Sequence, residues 1–147
     1  MKLVDGEETI LIVIASELDE DHADRRHAQQ LKREIDRRGE GHSYRRALIV
    51  GDAAWFETPA FMQSPTIAVG GPGVNGVSGR FAAEIPTVWT EADRVVIQAE
   101  LGGGRRRAAL WGMDRAATGE AVETFVARGW LDEFLERCWR FKATTLA

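Results

Sequence analysis

Residues Ile10 to Ser16 read ILIVIAS, an unbroken succession of branched aliphatic side chains closed by a small polar residue. Successive residues of a strand point to opposite faces, so this run is apolar on both. It suits a strand covered on both sides, as a central strand of a parallel sheet is covered by helices. The rest of the chain has to supply those helices.

It does so at once. Residues 17–39, ELDEDHADRRHAQQLKREIDRRG, open with Glu17, Asp19, Glu20 and Asp21 and close with Arg37, Arg38 and Gly39. Acid first and base last complement a helix dipole, and the glycine suits a C-cap. The apolar stripe is thin (Leu18, Ala28, Leu31, Ile35), which predicts a helix lying on a sheet by one narrow face. RRALIVGD, residues 45–52, reads as a second buried strand. AAWFETPAFMQSP carries Trp55, Phe56, Phe61 and Met62 between breakers Pro59 and Pro65, so an irregular segment or short helix over an edge is expected. TIAVGG is a third strand, and a glycine-rich turn leads from it into VSGRFAAEI. This alternation predicts a parallel sheet with helical crossovers.

Further on the period changes. PTVWT is a short strand, and RVVIQAEL alternates Val95, Ile97, Ala99 and Leu101 with Val96, Gln98 and Glu100. Gly102–Gly104 and RRRAALWGM then complete a hairpin by composition. Two amphipathic helices close the chain, one with Val122, Phe125 and Val126, the other with Leu131, Phe134, Leu135, Cys138 and Trp139. The expected architecture is a single α/β domain over residues 1–147. It is a three-layer sandwich on a mixed, mainly parallel sheet, with a Rossmann- or flavodoxin-like order of elements ending in a β-hairpin and C-terminal helices.

Bulk properties narrow the function classes. A chain of 147 residues can bury about two-thirds of its unfolded surface without staples. Its net charge of −4 offers no basic field for nucleic acid. The lone cysteine, Cys138, cannot form an internal disulfide, and no apolar run is long enough for a membrane span. A cytoplasmic protein with neither nucleic-acid nor membrane partners is expected.

Ligands of open parallel sheets bind beyond the carboxyl ends of the strands. That edge should gather Glu17 and Asp52, the expected acid/base carboxylates, with Trp55 and Trp111 as walls and Asp114 beyond the last strand. The loop between them carries Gly70, Gly71, Gly73, Asn75, Gly76 and Ser78. Gly71 to Gly76 formally satisfies G-x-G-x-x-G between a strand and a helix. Pro72 removes one amide donor, however, and the motif follows the third strand, so a dinucleotide fingerprint is disfavoured. A looser anion site, with Asn75 orienting the ligand, fits better. Close packing competes with it, since Gly73, Gly76 and Gly79 recur every three residues as a small-residue strip.

Other chemistries are poorly served. Glu20, Asp24 and His27 share a helix face but read more simply as a solvated charged face than as metal ligands. Arg105 to Arg107 read as a solvated hairpin tip, and no G-x-S-x-G elbow is present. Two functions follow. One is a small-molecule site for an anionic ligand of the nucleotide or nucleoside-derivative kind, with hydrolysis or group transfer as its chemistry and no cofactor specified. The other is a non-catalytic module forming homo-oligomers or receiving a partner through the small-residue strip and the aromatic C-terminal helix.

Overall fold

The structure is a computed structural model that describes residues 5–16, 22–101 and 105–144, the last five by backbone alone. In chain order its first elements are β1 (Ile10–Ile14), α1 (Ala23–Arg38), β2 (Ala47–Gly51), α2 (Asp52–Glu57) and α3 (Pro59–Met62). Then come β3 (Thr66–Val69), α4 (Gly76–Glu84), β4 (Thr87–Glu91), β5 (Val95–Ala99), β6 (Arg107–Gly112), α5 (Arg115–Ala127) and α6 (Trp130–Thr144).

The strands form one six-stranded mixed sheet in the order β2-β1-β3-β6-β5-β4. β1 runs parallel to both β2 and β3, with Ile12 opposite Ile49 and Ile67, and β3 runs parallel to β6. β6 with β5 and β5 with β4 are antiparallel. The division follows from the connections. Parallel neighbours need a crossover of a dozen or more residues, whereas only residues 100–106 separate β5 from β6, which suits an antiparallel pair. Residues 102–104, the glycines expected at the turn between them, lie outside the described residues.

Every residue of β1 is buried, as its sequence requires. Ile10, Ile12 and Ile14 join α1, α5 and α6 in one core, while Leu11 and Val13 join Trp55, Val77 and Phe81 of α2 and α4 in the other. Helices therefore cover both faces. β5 departs from its alternating pattern, because both of its faces are covered too. Gln98 is buried, its Nε2 donating to the carbonyls of Ala82 and Ile85 and its Oε1 accepting from Trp111 Nε1.

The expected start of the first helix moves. α1 begins at Ala23 with His22 as N-cap, its Nδ1 accepting from the Asp24 amide at 3.0 Å, and the acidic residues 17–21 lie outside the described residues. At the other end Gly39 is the C-cap. Its φ is −95°, so handedness does not demand glycine there. The close approach does, because a Cβ would stand 1.7 Å from the Arg45 carbonyl oxygen.

Arg107 is not part of a solvated tip. It lies in β6, ion-paired to Glu100 and Glu84 and stacked over the Phe81 ring at 5.3 Å. The apolar residues expected on the C-terminal helix pack inside this chain. Leu131, Phe134, Leu135, Cys138 and Trp139 are all buried in its own core. Trp130 packs near Trp89, with Arg128 over both rings.

Candidate functional site

The strands beside β1 are β2 on one side and β3 on the other, and the helices that follow β1 and β3 lie on opposite faces of the sheet. A crevice opens where two such connections diverge, beyond the carboxyl ends of β1 and β3. β6 runs parallel to β3, so its end at Trp111–Asp114 opens on the same edge.

The floor of the crevice is a hydrogen-bonded knot. Asn75 is wholly buried and caps α4, its Oδ1 accepting from the amides of Val77 at 3.0 Å and Ser78 at 3.3 Å. Its Nδ2 donates to the carbonyls of Val13 at 2.9 Å and Val69 at 3.1 Å. Both carbonyls lie near the ends of their strands, and that of Val69, beyond the last β1–β3 pair, needs a partner. Asn75 supplies it and adds a further hydrogen bond to the Val13 carbonyl. Ser78 is buried as well, its hydroxyl donating to the Gly70 carbonyl at 2.6 Å. Gly70 has a φ of +117° and would carry a Cβ 3.0 Å from Asp24 Oδ2, so glycine is needed on both counts.

Asp52 makes a second knot on the β2 side. Its Oδ1 accepts from the Ser16 hydroxyl at 2.5 Å, the Ser16 amide at 3.1 Å and the Ala53 amide at 2.8 Å, and its Oδ2 accepts from the Gly76 amide at 2.8 Å. Burial works against the charge, but the Ser16 hydroxyl and these amides prevail and hold the carboxyl below its ordinary value. Asp52 is thus an ionised staple joining the ends of β1 and β2 to the start of α4. A shallow cavity of about 320 Å³ lies beside it, against Ala15, Ser16 and Val74.

The larger cavity, about 370 Å³, lies on the β6 side of the glycine turn. His22 and Asp24 line it from the start of α1, residues 71–74 from the turn, and residues 111–115 with Thr118 from the end of β6 and the first turn of α5. Each wall is locally braced. Asp114 is the N-cap of α5, its Oδ1 accepting from the Ala117 amide at 2.7 Å. Thr118 Oγ1 donates to the Asp114 carbonyl and accepts from the Gly112 amide. His27 Nε2 meets the Arg115 carbonyl at 2.9 Å and so ties this turn to α1.

Among the expected site residues, the cavity brings together Gly71, Gly73, Trp111 and Asp114. Asn75 and Ser78 lie beneath it, fully engaged within the chain, and the Gly76 amide is taken by Asp52. Trp55 sits in the α2–α4 core, its Nε1 donating to Thr66 Oγ1 at the start of β3, with Phe81 edge-on at 5.9 Å. Glu17 lies outside the described residues. Gly71 and Gly73 differ from their neighbours: a Cβ on Gly71 would meet one atom at 3.9 Å, and one on Gly73 nothing within 4 Å. Neither packing nor a positive φ calls for glycine at these two positions. By contrast, a Cβ on Gly76 would press within 3.2 Å of Phe56.

Sequence reasoning passed over Asp24 as one member of a solvated face. In the fold it is 5 % exposed, and its Oδ1 is buried without a hydrogen-bond partner. The available signal was its place just past the end of β1, where the next helix begins. Burial raises its carboxyl above the ordinary 3.8, with His22, His27 and Arg115 pulling the other way. The folded state therefore holds this proton to higher pH than the unfolded chain does. Stability is lost as pH rises from 3.8 through the raised value, and the full penalty stands above it. Asp24→Asn is expected to raise Tm by roughly 2–8 °C at pH 7, taking about 1–2 kcal/mol for an unsatisfied buried group. Near pH 3 calorimetry should find little difference. A lower Tm for the variant at pH 7 would show that the carboxylate stabilises the fold.

The remaining reactive groups are quiet. Burial pushes the Cys138 thiol up to about 12, which removes it as a nucleophile at neutral pH. Among the described residues no group of three or more His, Cys, Asp and Glu is placed to hold a metal ion. No helix among them is long and apolar enough to cross a membrane. No protein-family model matches the chain, and no curated protein matches it.

Proposed function

We propose that this chain binds an anionic small molecule, of the nucleotide or nucleoside-derivative kind, in the 370 Å³ cavity at the carboxyl edge of its sheet. The observation that carries the ligand site is Asp24, a carboxylate only 5 % exposed that lines the cavity and has one oxygen without a hydrogen-bond partner among the described residues. Proteins rarely leave such a group unsatisfied without a functional reason. Arg115 and the amides of the glycine turn give the site its preference for an anion. Three further features support it. In this reading the parallel strands β2-β1-β3-β6 follow a Rossmann- or flavodoxin-like order, in which the crevice between diverging crossovers takes the ligand. The volume falls within the range of small-molecule sites. Gly71 and Gly73 lack a packing role and keep the space above them open.

In this reading Arg115 and the amides of Gly71 and Gly73 face the anion, and Trp111 and Met113 supply apolar surface. Hydrolysis or group transfer would need a proton-carrying group at the ligand. Asp24 has that chemistry, whereas Asp52 is committed to four internal donor contacts.

Thermal shift against a panel of nucleotides and sugar phosphates tests the reading. A ligand at about a hundred times its Kd stabilises by about 2.7 kcal/mol, a rise in Tm of roughly 5–11 °C. Gly73→Val should abolish the rise while the protein stays folded, because the new side chain enters open space. A flat response to every member of the panel overturns the proposal.

A further inference from the structure

Building on the proposed anion site, we infer that the cavity selects anions that also carry a hydrogen-bond donor, a hydroxyl or amino group, and discriminates against bare anions. The cavity is lined by charges of both signs. Arg115 is exposed and makes no ion pair among the described residues. It opens α5, whose dipole favours negative charge, although Asp114 already caps the helix through the Ala117 amide. The amides of Gly71 and Gly73 make no hydrogen bond among the described residues either. Arg115 and these amides suit a phosphate or carboxylate.

Asp24 is the negative counterpart. It is 95 % buried, and its Oδ1 can only accept unless it takes up a proton. The charged and titratable groups facing it are His22 and His27 of the α1 region and Arg115 of α5, with Asp114 across the cavity. His22 Nδ1 is already occupied by the Asp24 amide, and His27 Nε2 by the Arg115 carbonyl. Neither nitrogen satisfies the orphaned oxygen. A bare anion would bring a like charge to this carboxylate and leave it unpaired. A ligand hydroxyl or ammonium group placed where Asp24 lines the cavity would offset the carboxylate's charge while the anionic group reached Arg115.

The test measures binding to the intact protein by calorimetry, with inorganic phosphate, ribose 5-phosphate and O-phosphoethanolamine as probes. At least one donor-bearing probe should bind about 10- to 100-fold more tightly than phosphate, the span expected for satisfying one buried acceptor. In Asp24→Asn that probe should weaken while inorganic phosphate strengthens. A purely structural role for Asp24 would weaken both together. Arg115→Gln should weaken all three. If Asp24→Asn does not fold, Gly73→Val, which blocks the cavity, must abolish the preference for the donor-bearing probe in an otherwise native protein. Equal affinity for phosphate and both donor-bearing probes, or a preference that survives the substitution at Asp24 or at Gly73, overturns the inference and leaves the anion site standing. Failure of all three probes together with the nucleotide panel removes the site itself.

Discussion

Replacing Asn75 with alanine is expected to destabilise this protein by about 2–4 kcal/mol, a fall in Tm of roughly 4–16 °C. The substitution removes the cap of α4 and, among the described residues, the side chain that bonds the buried carbonyls of Val13 and Val69. Cap loss typically costs about 1 kcal/mol, and the Val69 carbonyl left unpaired adds about 1–3 kcal/mol. Urea unfolding with calorimetry measures the effect. Asn75→Asp sharpens the test. It keeps the cap acceptor that receives the Val77 and Ser78 amides but turns a carboxylate towards two carbonyl oxygens. It should therefore be as damaging as alanine at pH 7 and should recover in acid. Loss of ligand binding by either variant without loss of stability would mean that Asn75 serves the ligand and not the fold.

Arg45→Ala should cost a similar amount, about 3–5 kcal/mol, by a different route. Arg45 is buried and ion-paired to Glu8 at 2.9 Å, and its Nη2 donates to the Trp139 carbonyl at 2.7 Å. Its guanidinium also lies 5.6 Å from the centre of the Trp139 ring. Trp139 Nε1 returns a hydrogen bond to the Glu8 carbonyl, so one cluster locks α6 to the chain ahead of β1. Removing Arg45 leaves the Glu8 carboxylate, its side chain 12 % exposed, without its charge partner, which is the costly part. The double replacement Arg45→Met with Glu8→Leu should recover most of the loss, since an apolar pair carries no desolvation penalty. Limited proteolysis of the α6 region reports on the lock directly. Wild-type resistance in Arg45→Ala would show that the cluster contributes little.

These two residues show where sequence reading reached its limit. Asn75 was legible as the polar residue of the glycine turn, and a binding role was the natural expectation. Its actual partners, Val13 and Val69, are carbonyls, whose availability depends on where each inter-strand ladder ends. Asp52 was legible as a residue at a strand end. Its occupation by Ser16, Ala53 and Gly76 depends on β1, β2 and the start of α4 meeting at one corner. Asp24 looked like one carboxylate among many on a charged helix. Its burial is decided by α5, packed against α1 through His27 and Arg115 from almost ninety positions along the chain.

Local pattern therefore determined the kinds of element: the doubly apolar β1, the thin-striped α1, the β5–β6 hairpin and the two closing helices. Those features follow from side-chain periodicity and backbone preference, which a short window of sequence contains. Only the tertiary structure decided the strand order β2-β1-β3-β6-β5-β4 and with it the crevice between β1 and β3. The same is true of which polar groups in the glycine turn are consumed by the fold and which remain to face a cavity. A polar residue declares its chemistry in the sequence, but whether that chemistry is already satisfied depends on donors and acceptors brought to it from distant parts of the chain.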